Sequence, residues 1–241
     1  MTEPMPGSTL KVLIVGPSFG FPYGQGATGR VYGYAKALQH AGADVSVISL
    51  ALPSRGEEAG DAPLSGVYDG IPYEYACGTR VRPASFVRRR ALRLRVAART
   101  YDLIAQASRE SRGRCVVLIY SGAAEWIVAL TAMARRCGAI AVLDLAEYPV
   151  ARYLRSYRAF FLREARRTLA YSALDGIIPI STYLDQYVAT SPRPPARLLV
   201  PLIVDTDRFC VSPPTRQDPA HCGMSGSHVH SAWHTPATLR H

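Results

Sequence analysis

Hydrophobic and polar positions along the chain alternate between two periods. Lys11-Val-Leu-Ile-Val-Gly16 is a short unbroken apolar run, the pattern of a strand buried on both faces. After a glycine-rich stretch, Val31, Ala35, Leu38 and Ala41 recur at helical spacing, and Gly42 follows as a C-terminal cap. Val45–Leu50 predicts the next strand. Residues 51–70, rich in Pro, Gly and acid, predict a loop, and Ile71–Ala76 a third, weaker strand. A long arginine-rich helix is predicted over 84–111, with Val87, Ala91, Leu94, Ala98, Tyr101 and Ala105 as its apolar stripe. Cys115–Tyr120 predicts a strand, Ser121–Cys137 a helix ended by Gly138, and Ala139–Leu143 another strand. A basic, aromatic helix is predicted over 150–172 and a strand over Asp175–Ile180. Ser181 and Thr182 are placed to cap a short helix, with Asp185 three residues after Thr182 as in a capping box. Leu198–Pro201 is the last short strand.

Strand–helix alternation of this regularity predicts a doubly wound, parallel α/β sheet of Rossmann-like type in a single domain. The pattern stops at about Phe209. From Cys210 onward the chain carries five of the six histidines, many Pro, Ser and Thr residues, and no apolar periodicity. The expected organisation is a flexible N-terminus over 1–9, the Rossmann-like domain over 10–209, and a disordered tail over 210–241.

Composition narrows the class. Over 241 residues, 48% hydrophobic and 19% charged side chains exclude general disorder, a collagen-like repeat and a disulfide miniprotein. No apolar run reaches the ~18 residues of a membrane-spanning helix. The five cysteines, Cys77, Cys115, Cys137, Cys210 and Cys222, form no C-x-x-C pair and read as reduced thiols. Met1–Leu10 has no basic region followed by an apolar one, so no signal peptide is expected and the cytoplasm is the expected location. His221, Cys222, His228, His230 and His234 match no structural zinc spacing, so no metal site is expected.

The net charge of +10 is local. Arg80–Arg114 holds eleven arginines against Asp102 and Glu110, and Arg152–Arg167 adds six against Glu164. Such helices either present a solvated face or meet an anionic partner, and Arg88, Arg89, Arg93, Arg155 and Arg158 are the expected membrane-facing residues. No nucleic-acid reading motif accompanies the arginines, which ranks nucleic acid low as a partner.

Gly16, Gly20, Gly24, Gly26, Gly29 and Gly33 crowd the passage from the first strand to the first helix. Glycines there either let backbone N–H groups approach a phosphate or simply permit a wide turn and close helix–sheet packing. Gly24-Gln-Gly-Ala-Thr-Gly29 spells the dinucleotide fingerprint. Yet Gly24 lies eight residues beyond Gly16, and Ser49-Leu50 stand where a ribose-binding acid is required, which disfavours a Rossmann dinucleotide-binding protein.

Four segments in order resemble the N-terminal domain of glycosyltransferase family four, retaining enzymes of two-Rossmann-domain GT-B architecture. They are Lys11–Leu50 with Gly26-Ala27 and Ala41-Gly42-Ala43-Asp44-Val45; Leu143-Asp-Leu-Ala-Glu-Tyr-Pro149, like D-x-x-E-x-P; Asp175-Gly-Ile-Ile-Pro-Ile-Ser181, like D-x-I-I-x-x-S; and Leu199–Phe209, like V-P-x-x-V-D-x-x-x-F. The resemblance implies an acceptor-side half whose glycine loop, at Gly24, Gly26 and Gly29, lies near the diphosphate of a nucleotide-sugar donor substrate. Gln25 stands where the family often has a glycine, and Tyr120 and Ser121 where a histidine is common. Tyr120, Ser121 and Glu147 would then line an acceptor cleft, with Asp144 and Glu147 contacting an acceptor hydroxyl or orienting the cleft. Alternatively, Glu147 only caps or pairs with an arginine. No cofactor is implied beyond the donor, and the acceptor is a sugar, lipid-linked if the basic helices meet the inner face of a membrane. The family's paired donor-site glutamates have no counterpart after Cys210, where Asp218 is the sole acid. A truncation or frame change near residue 210 is therefore expected, and with it an inactive isolated chain. The alternative is a non-catalytic binding or vestigial domain.

Overall fold

The computed structural model describes residues 9–24, 26–51, 63–79, 81, 83–147 and 168–201. The chain divides into two compact units, Met1–Val204 and Asp205–His241, and every described residue belongs to the first. Its elements run β1 (Lys11–Gly16), α1 (Gly26–His40), β2 (Asp44–Ser49), β3 (Ser65–Tyr68), β4 (Ile71–Tyr75), α2 (Phe86–Glu110) and β5 (Cys115–Tyr120). There follow α3 (Ala124–Arg136), β6 (Ile140–Leu145), β7 (Gly176–Pro179), α4 (Thr182–Ala189) and β8 (Ala196–Arg197), with residues 168–172 helical just before β7.

One eight-stranded sheet has the order β3-β4-β2-β1-β5-β6-β7-β8. Every neighbouring pair is parallel except β3–β4. The mixed α/β, mostly parallel architecture is the one the alternating pattern predicts. The chain winds outward from β1 through β2 to β4, then returns through α2 to β5 on the other side of β1 and winds outward again. Connections leaving β1 and β5 therefore part in opposite directions. Their carboxyl ends are thus the switch point of the sheet, the place where open α/β sheets form a ligand-binding crevice.

Strand residues alternate between two buried faces. Leu13, Val15, Ile48 and Leu50 pack with Leu92, Val96 and Ile104 of α2, Ile127 and Leu130 of α3, and Leu184 and Val188 of α4. Val12, Ile14, Val45 and Val47 pack with Val31 and Ala35 of α1 and with Phe19 and Phe21. The unbroken apolar runs in β1 and β5 follow from burial on both sides. Gly42 and Gly138 end α1 and α3 at φ 86° and 71°, each in a paired C-terminal turn (Gly42 N to Gln39 O and Ala43 N to Leu38 O; Gly138 N to Arg135 O and Ala139 N to Ala134 O).

Four sequence expectations need correction. The predicted loop over 51–70 contains β3, which forms a hairpin with β4 around Asp69-Gly70. Both turn residues have positive φ, 47° and 76°, as a two-residue primed turn requires. The glycine-rich loop is shorter than expected, because α1 starts at Gly26 and takes in Gly29 and Gly33. The apolar stripe predicted for α2 is not its buried one: Leu92, Val96, Thr100, Ile104 and Ala107 face the sheet, while Val87 and Leu94 are 73% and 74% exposed. The last strand is Ala196–Arg197 rather than Leu198–Pro201. Beyond it the N–H groups of Leu198 and Val200 still reach Ile177 O and Pro179 O, but Pro179 has no N–H to return. The helix predicted over 150–172 falls largely outside the described residues.

Candidate functional site

The crevice between the carboxyl ends of β1 and β5 is built from a tightly held loop, the first turn of α1 and the ends of β5 and β6. A Cβ at Gly16 would lie 2.0 Å from Tyr120 O, so only glycine lets β1 end against β5 here. The loop that follows is tied from behind at several points. Ser49 Oγ donates to Phe19 O (2.8 Å), Phe21 N–H donates to Tyr75 OH (2.8 Å), and Thr28 Oγ1 donates to Gly20 O (2.7 Å). Gly24 sits against Thr28, whose Oγ1 a Cβ at that position would approach to 2.1 Å.

Of the three glycines predicted to face a phosphate, Gly24 thus serves loop packing. Gly26 and Gly29 lie in the first turn of α1, exposed, with nothing within 4 Å of a built Cβ. The N–H groups of a helix's first turn have no intrahelical acceptor, and no acidic residue occupies this one. The place is open to an anion.

One turn further along α1, Arg30 is 8% exposed and meets Asp144 at the end of β6, 2% exposed. Arg30 donates from Nε to Asp144 Oδ2 (2.9 Å) and from Nη2 to Oδ1 (2.8 Å), a two-pronged pair. Tyr34, one turn on, donates to Asp144 Oδ1 (2.8 Å) and accepts from Arg30 Nη2 (2.6 Å). Arg30 also reaches Val200 O and Pro201 O, each at 3.2 Å, and so fastens the segment beyond β8 to α1. Burial disfavours the guanidinium charge, yet the hydrogen bond and charge of Asp144 outweigh it and raise Arg30 above its ordinary value. Tyr34 is pushed strongly upward by burial and by Asp144. Tyr120, half-buried at the end of β5, is also raised, by burial first and then by Asp144, with Glu147 adding to the shift.

The predicted cleft residues therefore separate by role. Asp144 accepts three hydrogen bonds and organises the crevice from within. Glu147, two residues past β6, is exposed and electrostatically linked to the Tyr120 hydroxyl. Ser121 is buried and its Oγ accepts the N–H of Ala123, shaping the turn into α3. Arg88 and Arg93 are exposed on α2 and Arg89 is half-buried, whereas Arg155 and Arg158 lie outside the described residues. Sequence reading missed Arg30 and Tyr34. The available signal was a cation next to the Val31–Ala35 apolar face with an aromatic hydroxyl four residues on.

Elsewhere, a cavity of about 200 Å³ opens on the other face of the sheet, between α2 and β1, β2 and β4, and includes none of these residues. Among the described residues no three His, Cys, Asp or Glu side chains gather as a metal site, and no helix is long and apolar enough to cross a membrane. Cys77 and Cys115 are buried free thiols, and burial pushes Cys115 up to about 11.

No protein-family model matches the chain, and no curated protein does. Among solved structures it is similar to a UDP-glucosyltransferase from Polygonum tinctorium capable of glucosylating indoxyl, at TM-score 0.51 and 13% identity, over 82% of this chain and 53% of that one. It also matches Arabidopsis thaliana UGT89C1 complexed with UDP-L-rhamnose (TM-score 0.44, 14% identity, 83% of this chain and 50% of that one). A third match is α,α-trehalose-6-phosphate synthase from Burkholderia multivorans (TM-score 0.42, 14% identity, 74% and 41%). These neighbours are GT-B glycosyltransferases, and the likeness, at such identity, is one of fold. The chain spans about half the length of the structures it matches.

Proposed function

We propose that residues 10–209 form the acceptor-side half of a retaining, nucleotide-sugar-dependent glycosyltransferase acting in glycan, polysaccharide or glycolipid synthesis. The observation that carries this reading is the crevice itself. An anion-ready first turn of α1 and the Tyr120–Glu147 edge flank one switch point of a glycosyltransferase-like fold. In this reading the N–H groups around Gly26 and Gly29 approach the donor diphosphate, and Gly24 shapes the loop that delivers them. Tyr120, Ser121 and Glu147 line the acceptor cleft, with Glu147 the side chain that reaches an acceptor hydroxyl. Asp144 acts through Arg30 as a positioning residue. Catalysis in the complete enzyme rests on orienting both substrates and stabilising the departing diphosphate, with no cofactor. The acceptor is lipid-linked, and the basic helices draw the protein to an anionic membrane on its cytoplasmic side.

A second reading, a binding domain without turnover of its own, is favoured by the state of Asp144. The carboxylate buried in the crevice is already engaged by three hydrogen bonds from Arg30 and Tyr34. Incubating the full chain with labelled nucleotide sugars and a panel of glycan and glycolipid acceptors tests both the acceptor-side assignment and the inactivity of the isolated chain. The isolated chain is expected to bind an acceptor without turnover, more weakly after Glu147→Gln. Measurable turnover overturns its inactivity, and an absence of acceptor binding overturns the acceptor-side assignment.

A further inference from the structure

The first half of α2 carries two apolar stripes. One faces the sheet through Leu92 and Val96. The other, Val87, Ala91, Leu94 and Ala98, lies roughly 150° round the helix at 3.6 residues per turn. All four are exposed, Val87 at 73% and Leu94 at 74%, and Phe86 beside them is 63% exposed. Arg88 and Arg95 border this outer stripe on one side, Arg90 and Arg93 on the other. Arg90 lies 5.2 Å from the Phe86 ring centre. Among the described residues none of these four arginines is ion-paired, and no acidic residue occurs in α2 before Asp102.

A helix side turned to water carries polar residues along its centre line. Here the centre line is valine and leucine and the margins are arginine. Long arginine stems can lie along an apolar surface while their heads reach outward, the arrangement of a helix lying in a bilayer interface. Margins of one sign, without a carboxylate, suit a uniformly anionic surface better than a protein partner, whose surface mixes signs. Placement agrees with this. α2 links two strands of the same direction, so its first half starts at the carboxyl edge of the sheet, where the crevice opens.

We infer that the outer face of α2 between Phe86 and Ala98 is a membrane-inserting surface for an anionic bilayer. Val87 and Leu94 enter the acyl boundary, and Arg88, Arg90, Arg93 and Arg95 take lipid phosphates. The inference rests on the anionic-membrane part of the proposed function and not on sugar transfer. The test is sedimentation of the full chain with phosphatidylcholine vesicles, alone or mixed with phosphatidylglycerol. Binding is expected only to the mixed vesicles. Each Arg→Ala change at the four positions should weaken it about fivefold, and Leu94→Asp or Val87→Asp about tenfold. Circular dichroism should stay unchanged, because these side chains are exposed and lie outside the buried stripe of α2. Val87→Trp should gain fluorescence that brominated lipids quench. No binding to anionic vesicles overturns both the insertion and the membrane part of the proposed function. Salt-sensitive binding that Leu94→Asp leaves intact and brominated lipid does not quench overturns the insertion alone. Tighter binding to duplex DNA than to anionic vesicles at the same salt would assign the patch to nucleic acid and overturn the inference.

Discussion

The Arg30–Asp144 pair offers the sharpest test of how the crevice is held. The two side chains are 6% and 0% exposed, and their closest contact is 2.8 Å. Asp144→Asn keeps the shape of the side chain but leaves the guanidinium buried without its counter-charge. Breaking a buried pair from one side costs about 3–5 kcal/mol. For a domain of this size that lowers the melting midpoint by about 6–20 °C. Arg30→Met strands the carboxylate and should cost a similar amount. The double variant Arg30→Met/Asp144→Leu removes both charges, so it should recover most of the loss, since apolar replacement of a whole buried pair is often near neutral. Urea unfolding followed by circular dichroism on the wild type, Arg30→Met, Asp144→Leu and the double variant gives the coupling energy. A second readout is local. Arg30 also holds the carbonyls of Val200 and Pro201, so Arg30→Met should speed amide exchange at Leu198 and Val200, whose N–H groups bond to β7. If Asp144→Asn costs under about 1 kcal/mol, or the double variant loses the sum of the singles, the pair does not organise the crevice as argued.

Three further outcomes are expected. Gly16→Ala should destabilise by about 2 kcal/mol or more, because its Cβ meets the Tyr120 carbonyl at 2.0 Å, whereas Gly33→Ala in open space should stabilise α1 by about 0.5–1 kcal/mol; thermal melts of both variants decide. Stability should fall as pH rises from 9 to 11, because the unfolded chain releases the Cys115 proton that the fold retains. Tyr34 and Tyr120, also raised, add to the loss from about pH 10, so that Cys115 dominates between 9 and 10. Cys115→Ala should flatten the limb between 9 and 10, and an unchanged slope of urea midpoint against pH there would refute it. Ser181→Ala should cost about 1 kcal/mol, since Ser181 Oγ accepts the Leu184 N–H at the start of α4. A loss beyond about 2 kcal/mol in the same melt would mean that Ser181 does more than cap.

Most of the sheet was legible because its strands are buried on both faces and its helices on one. Burial of the first kind writes an unbroken apolar run, as in Lys11–Gly16 and Cys115–Tyr120. β3 escaped for the opposite reason. As an edge strand it reads Ser65-Gly-Val-Tyr68, with three of its four residues exposed, so its hydrophobic pattern says little. What marks it is the turn, Asp69-Gly70, a pair suited to two successive positive φ values. Turn chemistry was the better guide there than composition. The α2 error has another cause. Val87-x3-Ala91-x2-Leu94-x3-Ala98 and Leu92-x3-Val96-x7-Ile104 both satisfy helical spacing, and spacing alone cannot rank two stripes on one helix. The decision came from Leu92, Val96 and Ile104 filling the space over β1 and β5, which only the fold defines.

The crevice was legible in outline and not in wiring. Asp144, Glu147, Tyr120 and Ser121 came from the family resemblance, and they stand at or just past the ends of β5 and β6, where an open parallel sheet sets its ligand-facing groups. Their roles depended on partners that no local pattern names. Arg30 lies 114 positions from Asp144, and four strands intervene before the chain reaches β6, where the two meet. A buried guanidinium is tolerable only with a carboxylate in two-pronged contact, so once Arg30 is known to be buried, an acid near it becomes a physical requirement. That requirement claims Asp144 and releases Glu147. Under the proposed function, a chemical role at the crevice then falls to the exposed carboxylate. Loss of acceptor binding on Glu147→Gln without loss of stability, against loss of stability on Asp144→Asn, is the division of labour this geometry demands.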